Sequence, residues 1–380
     1  MASKASKRAK GSKRSKAPKR SQRSDTVLVT GASGYIAGHC VKALLAKGYR
    51  VRGTVRSLAN DKSVARVKAL AAPGSEDIEL FEADLTSDSG WNDAVAGCTY
   101  VLHVASPFPA ETPDDEMEVI GPAVEGTRRV LEACAADTKV KRVVLTSSVA
   151  AVAFGHEGHR DSPYTEDDWS VVDNCEPYQK SKTLAERSAW DFVAALEGKR
   201  RFELAVINPG FVAGPVLGAD VGTSGEVVRR MLSRELPACP QIGFAVVDVR
   251  DVAAAHVLAM ETTAAAGKRY ICAGEHVWMQ DMARMLDSEF RPLGYRVPTA
   301  KAPYWLLWLV ARFDKTIRMS LAYVGRRETV SHARATTDLG WSPRDPRETL
   351  VDMGHSLIEH GVVARKAQYQ EATPARATAS

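Results

Sequence analysis

A glycine-rich turn between an apolar, β-branched run and a helical pattern constrains this chain more than any other feature. Thr26-Val27-Leu28-Val29-Thr30 leads into Gly31-Ala-Ser-Gly34-Tyr35-Ile36-Ala37 and then into a helical spacing over 38–47. Gly31 permits a tight turn after the strand. Gly34 lets backbone approach a phosphate, and Ala37 is small enough for close helix–strand packing where a third glycine often stands. The helix that follows aims unpaired N–H groups and the positive end of its dipole at the same point. A strand, this turn and a helix in the first β-α unit read as a dinucleotide-binding fingerprint rather than a plain turn.

Five further β-branched runs follow, at 49–55, 78–81, 100–104, 142–146 and 202–207, with helical patterns between several of them, as at 123–136. Strands alternating with helices predict an α/β fold: a Rossmann-type doubly wound parallel sheet covered on both faces, with no hairpins in this half. We expect this domain over 25–209, and a smaller, mostly helical substrate lobe over 210–362. The boundary is expected to be interleaved, about 247–275 returning to the main domain, because Val247-Asp-Val-Arg-Asp-Val-Ala253 resembles a return to the main sheet. The stretch 363–380, rich in Ala, Thr and Pro, reads as a flexible tail.

Residues 1–24 carry ten Lys or Arg side chains, no acid, and no Val, Leu, Ile or aromatic residue. Such a segment buries nothing and is expected to be disordered. It reads as a solvated tail, or as a signal for the nucleus or an anionic surface. Without those ten charges the formal +5 becomes −5. A mildly acidic body speaks against a specific nucleic-acid partner. The six cysteines, Cys40, Cys98, Cys134, Cys175, Cys239 and Cys272, form no C-x-x-C pair, and neither Cys nor His falls at zinc-ligand spacing. We therefore expect structural thiols in a cytoplasmic protein and no metal. The apolar run Tyr304-Trp-Leu-Leu-Trp-Leu-Val310 is far shorter than the about 20 residues that span a bilayer. Burial in the smaller lobe is expected for it, with a subunit interface or membrane-surface contact as alternatives.

The chemistry is carried by Tyr178-Gln-Lys-Ser-Lys182, whose phenol and ammonium, four residues apart, share one helix face. The ammonium is expected to lower the pKa of the phenol, so that Tyr178 acts as general acid toward a carbonyl oxygen. Lys182 would also hold the nicotinamide ribose. Ser148 closes the run Arg142-Val-Val-Leu-Thr-Ser147-Ser148, at the carboxyl edge of the sheet, and can fix the substrate oxygen. At the end of the second strand stands Arg56, where an NAD site usually presents an acid. A guanidinium matches a 2′-phosphate, which favours NADP, and Lys62 could add a second charge. Asp84 closes the third strand, either as an acceptor for the adenine amino group or as an ordinary helix cap.

These elements resemble the extended short-chain dehydrogenase/reductase family, in its dihydroflavonol 4-reductase-like and carbonyl reductase branch. The likeness rests on Gly31 to Ala37, Gly48 to Arg56, Val101-Leu-His-Val-Ala-Ser-Pro107, Thr146-Ser-Ser148, Tyr178 to Glu186 and Arg250-Asp-Val-Ala253. It implies catalytic Ser148, Tyr178 and Lys182. It also implies NADP contacts at Gly31, Gly34, Tyr35, Ile36, Arg56, Asp84, Leu85, Val104, Ala105, Ser106 and Pro209. Three positions depart from the family. Ala153 stands where plant dihydroflavonol reductases carry Asn or Asp. Cys175-Glu-Pro-Tyr178 differs from the cinnamoyl-CoA reductase signature, and Ser63 stands where the family's second phosphate-binding lysine aligns.

The expected activity is NADPH-dependent reduction of an aldehyde or ketone by a monomer or homodimer. A hydroxysteroid-type dehydrogenase or sugar-nucleotide epimerase, and a non-catalytic NADP-sensing protein, are the alternatives.

Overall fold

The computed structural model describes residues 25–72, 78–107, 115–158, 160–312 and 321–372. The expected tail 1–24 and residues 373–380 lie outside them.

Seven parallel strands form the main sheet: β1 (Thr26–Val29), β2 (Arg50–Val55), β3 (Ile78–Glu82), β4 (Tyr100–His103), β5 (Arg142–Thr146), β6 (Glu203–Pro209) and β9 (Lys268–Cys272). Their order is β3-β2-β1-β4-β5-β6-β9, every pair parallel. Successive strand residues point to opposite faces, and both faces are covered. Val27, Val29, Leu102 and Val144 pack under α1 (Tyr35–Ala46) and α7 (Val249–Glu261). Leu28, Val101, Val143 and Leu145 pack under α3 (Trp91–Val95), α4 (Met117–Ala136) and α5 (Pro177–Ala194). Burial on both sides is why these strands read as continuous apolar runs. The remaining helix of this half, α2 (Asp61–Lys68), follows β2 and is capped by Asn60, whose Oδ1 accepts from the Ser63 N–H.

The smaller lobe contains a sheet that the sequence reading did not anticipate. Strands β7 (Phe211–Ala213), β8 (Gly243–Asp248) and β10 (His276–Trp278) associate in the order β10-β8-β7, with β7 and β8 parallel and β10 and β8 antiparallel. Val247 therefore belongs to this small sheet. After Asp248 the chain continues into α7, packed against the main sheet, and then into β9 within it. Helices α6 (Gly222–Leu232), α8 (Met279–Phe290) and α11 (Pro346–Glu359, after α9, Tyr304–Val310, and α10, Ala333–Leu339) supply the lobe's own core.

Two expectations are corrected here. Tyr304, Trp305, Trp308 and Leu309 of α9 are 46–66% exposed, so this run is a surface element and not core. The Arg312 guanidinium stacks over the Trp308 ring at 4.3 Å. Residues 363–372 of the expected flexible tail, in turn, are packed onto the smaller lobe. Helix α12 (Ala367–Ala372) buries Tyr369, whose hydroxyl lies 3.0 Å from His355 Nδ1. One aromatic anchor fixes a segment whose composition alone predicts fraying.

Candidate active site

The glycine turn has the conformation its sequence requires. Gly31 sits at φ +63°, and a Cβ there would meet the Cβ of Ala105 at 3.0 Å. Gly34 caps α1 with no side-chain acceptor, and no acid lies in the first turn, so the N–H groups of Tyr35 and Ile36 face outward without an internal anion. The turn is fastened to β2: Gly31 N donates to Thr54 Oγ1 (2.9 Å) and Ala32 N to the Thr54 carbonyl (2.9 Å). The Tyr35 hydroxyl is used structurally, donating to the Gly214 carbonyl of the smaller lobe at 2.7 Å. A narrow cradle with free N–H groups fits a dinucleotide pyrophosphate.

Thr30, unremarked in the sequence, organises the neighbouring strand end. Its Oγ1 accepts from Val104 N (3.0 Å) and Ala105 N (2.9 Å) and lies 2.9 Å from His103 Nδ1. With both lone pairs occupied, the hydroxyl proton must go to Nδ1, which requires a neutral ring. Burial supplies that, pushing His103 down to about 3.

Asp84 accepts from the backbone N–H (2.8 Å) and hydroxyl of Thr86, which hold its carboxyl below the usual range. It forms a local turn and caps no helix, since Gly90 is the cap of α3. Leu85 packs against α4 at Gly126, and its carbonyl accepts from Arg129 at 2.9 Å. Pro209 is buried at the end of β6, paired with Cys272. Arg56 and Lys62 are exposed.

The residues expected to react converge at the carboxyl ends of the adjacent strands β4 and β5. Pro177 opens α5 at its first position, where its missing N–H costs nothing, and sets Tyr178 in the first turn. The Tyr178 phenol and the Ser148 hydroxyl are hydrogen-bonded. Lys182 Nζ, on the next turn of the helix, donates to Ser106 Oγ at 2.9 Å. The electrostatics differ from the sequence expectation: burial raises the Tyr178 pKa, and only the Ser148 bond opposes it. Burial also lowers Lys182 to about 8, against the charge of Glu186.

A buried network behind the site escaped the sequence reading. Glu186, 1% exposed, accepts from Asn208 Nδ2 (2.8 Å) and from Arg269 Nε (2.5 Å), while Asn208 Nδ2 also reaches the Ser148 carbonyl (3.1 Å). The Ser148 strand end, the lysine helix and β9 are thereby tied together. The available signal was the spacing of 178, 182 and 186 on one helix stripe. On the open side, Gln179 Nε2 donates to the Tyr323 hydroxyl at 3.0 Å, and Tyr323 packs edge-on against Phe154. Ala153 is buried among apolar neighbours and offers no polar grip. Among the described residues no group of three His, Cys, Asp or Glu side chains is arranged to hold a metal ion. None of their helices is long and apolar enough to cross a membrane.

A doubly wound sheet with a glycine turn at one strand end and a serine–tyrosine–lysine set beside it defines an oxidoreductase of the short-chain dehydrogenase type. The chain belongs to the NAD dependent epimerase/dehydratase family, which it matches over residues 27–273. It is 38% identical to cinnamoyl-CoA reductase CAD2 of Medicago truncatula, over 80% of this chain and 94% of that protein. It is 36% identical to tetraketide alpha-pyrone reductase 1 of Arabidopsis thaliana, over 90% and 98%. The yeast methylglyoxal/isovaleraldehyde reductase Gre2, solved with NADPH, superposes with a TM-score of 0.74 at 27% identity, over 88% of this chain and 98% of that one.

Proposed function

We propose that this chain reduces an aldehyde or ketone with NADPH, using Ser148, Tyr178 and Lys182. The observation that carries the reading is the bond between the Ser148 hydroxyl and the Tyr178 phenol, one helical turn from Lys182, at the sheet edge. Burial keeps the phenol protonated at neutral pH, the form a general acid needs. Ser148 holds the substrate oxygen against it. Lys182, as a cation, stabilises the phenolate left after proton transfer and returns a proton to it. The bound cofactor supplies the hydride. The glycine turn and the N–H groups opening α1 would hold its pyrophosphate, and Ser106 and Lys182 its nicotinamide ribose. Arg56, exposed at the end of β2 with no carboxylate paired to it among the described residues, suits a 2′-phosphate.

The choice of NADPH draws further support from the Gre2 enzymes of yeast and Candida albicans, both solved with it. A small carbonyl substrate accords with the methylglyoxal/isovaleraldehyde reductase likeness, and the apolar surroundings of Ala153 argue against a flavonoid gripped as in the plant enzymes. Six cysteines without a disulfide favour the cytoplasm.

Tyr178→Phe tests the assignment. It is expected to bind NADPH nearly as the parent does and to lose at least about a hundredfold in carbonyl-dependent NADPH oxidation, the scale of general acid catalysis. Full turnover by this variant would overturn the role of the phenol.

A further inference from the structure

The corner between the glycine turn and β2 holds a cation that the sequence patterns pass over. Rossmann-type folds read the adenosine ribose at this corner. Thr54, near the end of β2, is bonded to both Gly31 and Ala32, so the turn and Arg56 flank a single site. Lys62 stands exposed in the first turn of α2. One helical turn beyond Lys62, on the same stripe, is Arg66. Its Nη1 donates to the Ser33 carbonyl within the glycine turn at 3.3 Å and to Asp220 Oδ2 of the smaller lobe at 3.1 Å. A Cβ on Gly218 would lie only 3.6 Å from its Nε, so the loop before α6 covers the side chain closely.

We infer that Arg66 is a second cation for the adenosine 2′-phosphate, beside Arg56, and so helps select NADPH over NADH. The inference rests on the NADPH reading above. Three features distinguish Arg66 from an ordinary surface arginine. It touches the backbone of the phosphate-binding turn itself. It is held from two sides, by the turn and by the lobe, which reduces the ordering cost of binding. Among the described residues its bonds to Ser33 and Asp220 both use Nη1, so Nη2 remains to donate to a phosphate. The nearby acids are otherwise engaged. Glu82 accepts from Leu58 N and Asp84 from Thr86. Asp220 is 64% exposed, so its pair with Arg66 is a weak surface contact.

The test is a set of dissociation constants on the full chain, measured by protein fluorescence or calorimetry. The probes are NADPH, NADH, adenosine 2′,5′-bisphosphate and 5′-AMP. Arg66→Gln is expected to weaken NADPH and the bisphosphate by about tenfold, the scale of one charge-assisted hydrogen bond. NADH and AMP should change less than about twofold, and Arg66→Lys should recover part of the loss. Unchanged NADPH affinity in Arg66→Gln, or an equal loss toward NADH, would overturn the inference. The parent reading is tested separately by Arg56→Gln. If that variant loses NADPH preference while Arg66→Gln keeps it, only the role of Arg66 fails. If the parent chain binds NADH as tightly as NADPH, the cofactor reading itself fails.

Discussion

Lys182 illustrates how one side chain acquires its chemistry from its surroundings. Removal from water disfavours its charged form and lowers its pKa to about 8, while the Glu186 carboxylate opposes the drop. In the proposed reaction the cation is the working form, the one that stabilises a Tyr178 phenolate. It is present below about 8 and is lost as pH rises through that value. We expect kcat/KM for carbonyl reduction to fall on the alkaline side with an apparent pKa near 8. A pH profile that stays flat well past that point would contradict the role of the cation. His103 is held neutral by burial down to about 3 and contributes nothing to the acid limb. The spacing of Tyr178 and Lys182 was legible in the sequence because four residues on a helix is a local relation. The direction of the tyrosine shift was not. It is decided by burial under strands and loops far along the chain, which only the bond to Ser148 opposes.

At the scale of elements, strands and helices followed their patterns closely. The runs at 26–30 and 142–146 became β1 and β5 within a residue, because strands buried on both faces admit little but β-branched and aliphatic residues. Helix α9 is the counter-example. A run of seven apolar residues signals burial only if some partner surface covers it, and among the described residues none covers Trp305, which is 66% exposed. Trp305→Ser is therefore expected to change the unfolding free energy by less than about 0.5 kcal/mol. Trp91→Ala, at 2% exposure under the main sheet, should cost about 3–5 kcal/mol. Urea unfolding of the two variants makes the comparison, and a loss at Trp305 matching that at Trp91 would contradict the exposed placement.

At the scale of the whole molecule, the two lobes are joined beside the cofactor cradle. Tyr35 bonds Gly214, His39 bonds Pro215 and Arg66 bonds Asp220, so the start of α1 and the face of α2 carry the smaller lobe. Asp248, fully buried, caps α7 and pairs with Arg250, which reaches Asp352 of α11. Helix α12 closes this lobe. Tyr369 packs edge-on against Tyr295 and tilted against His355, and its loss leaves a cavity. Tyr369→Ala should destabilise the protein by about 3 kcal/mol and lower Tm in a thermal scan. A neutral result would restore the reading of this segment as a loose tail.

Sequence alone determined what depends on neighbours within a few residues. These were the φ-positive glycine turn, the continuous apolar runs of the main-sheet strands, and the phenol and ammonium on one helix stripe. Each follows from backbone sterics and helix or strand geometry, which act locally. Tertiary structure decided whatever depends on what lies across space. Glu186 and Arg269 are 83 residues apart, and Gln179 and Tyr323 are 144 apart. The small β7-β8-β10 sheet, the exposure of α9, the anchoring of Tyr369 and the position of Arg66 over the turn belong to the same class. Burial and electrostatics are properties of the assembled surroundings, and no periodicity in the chain encodes them.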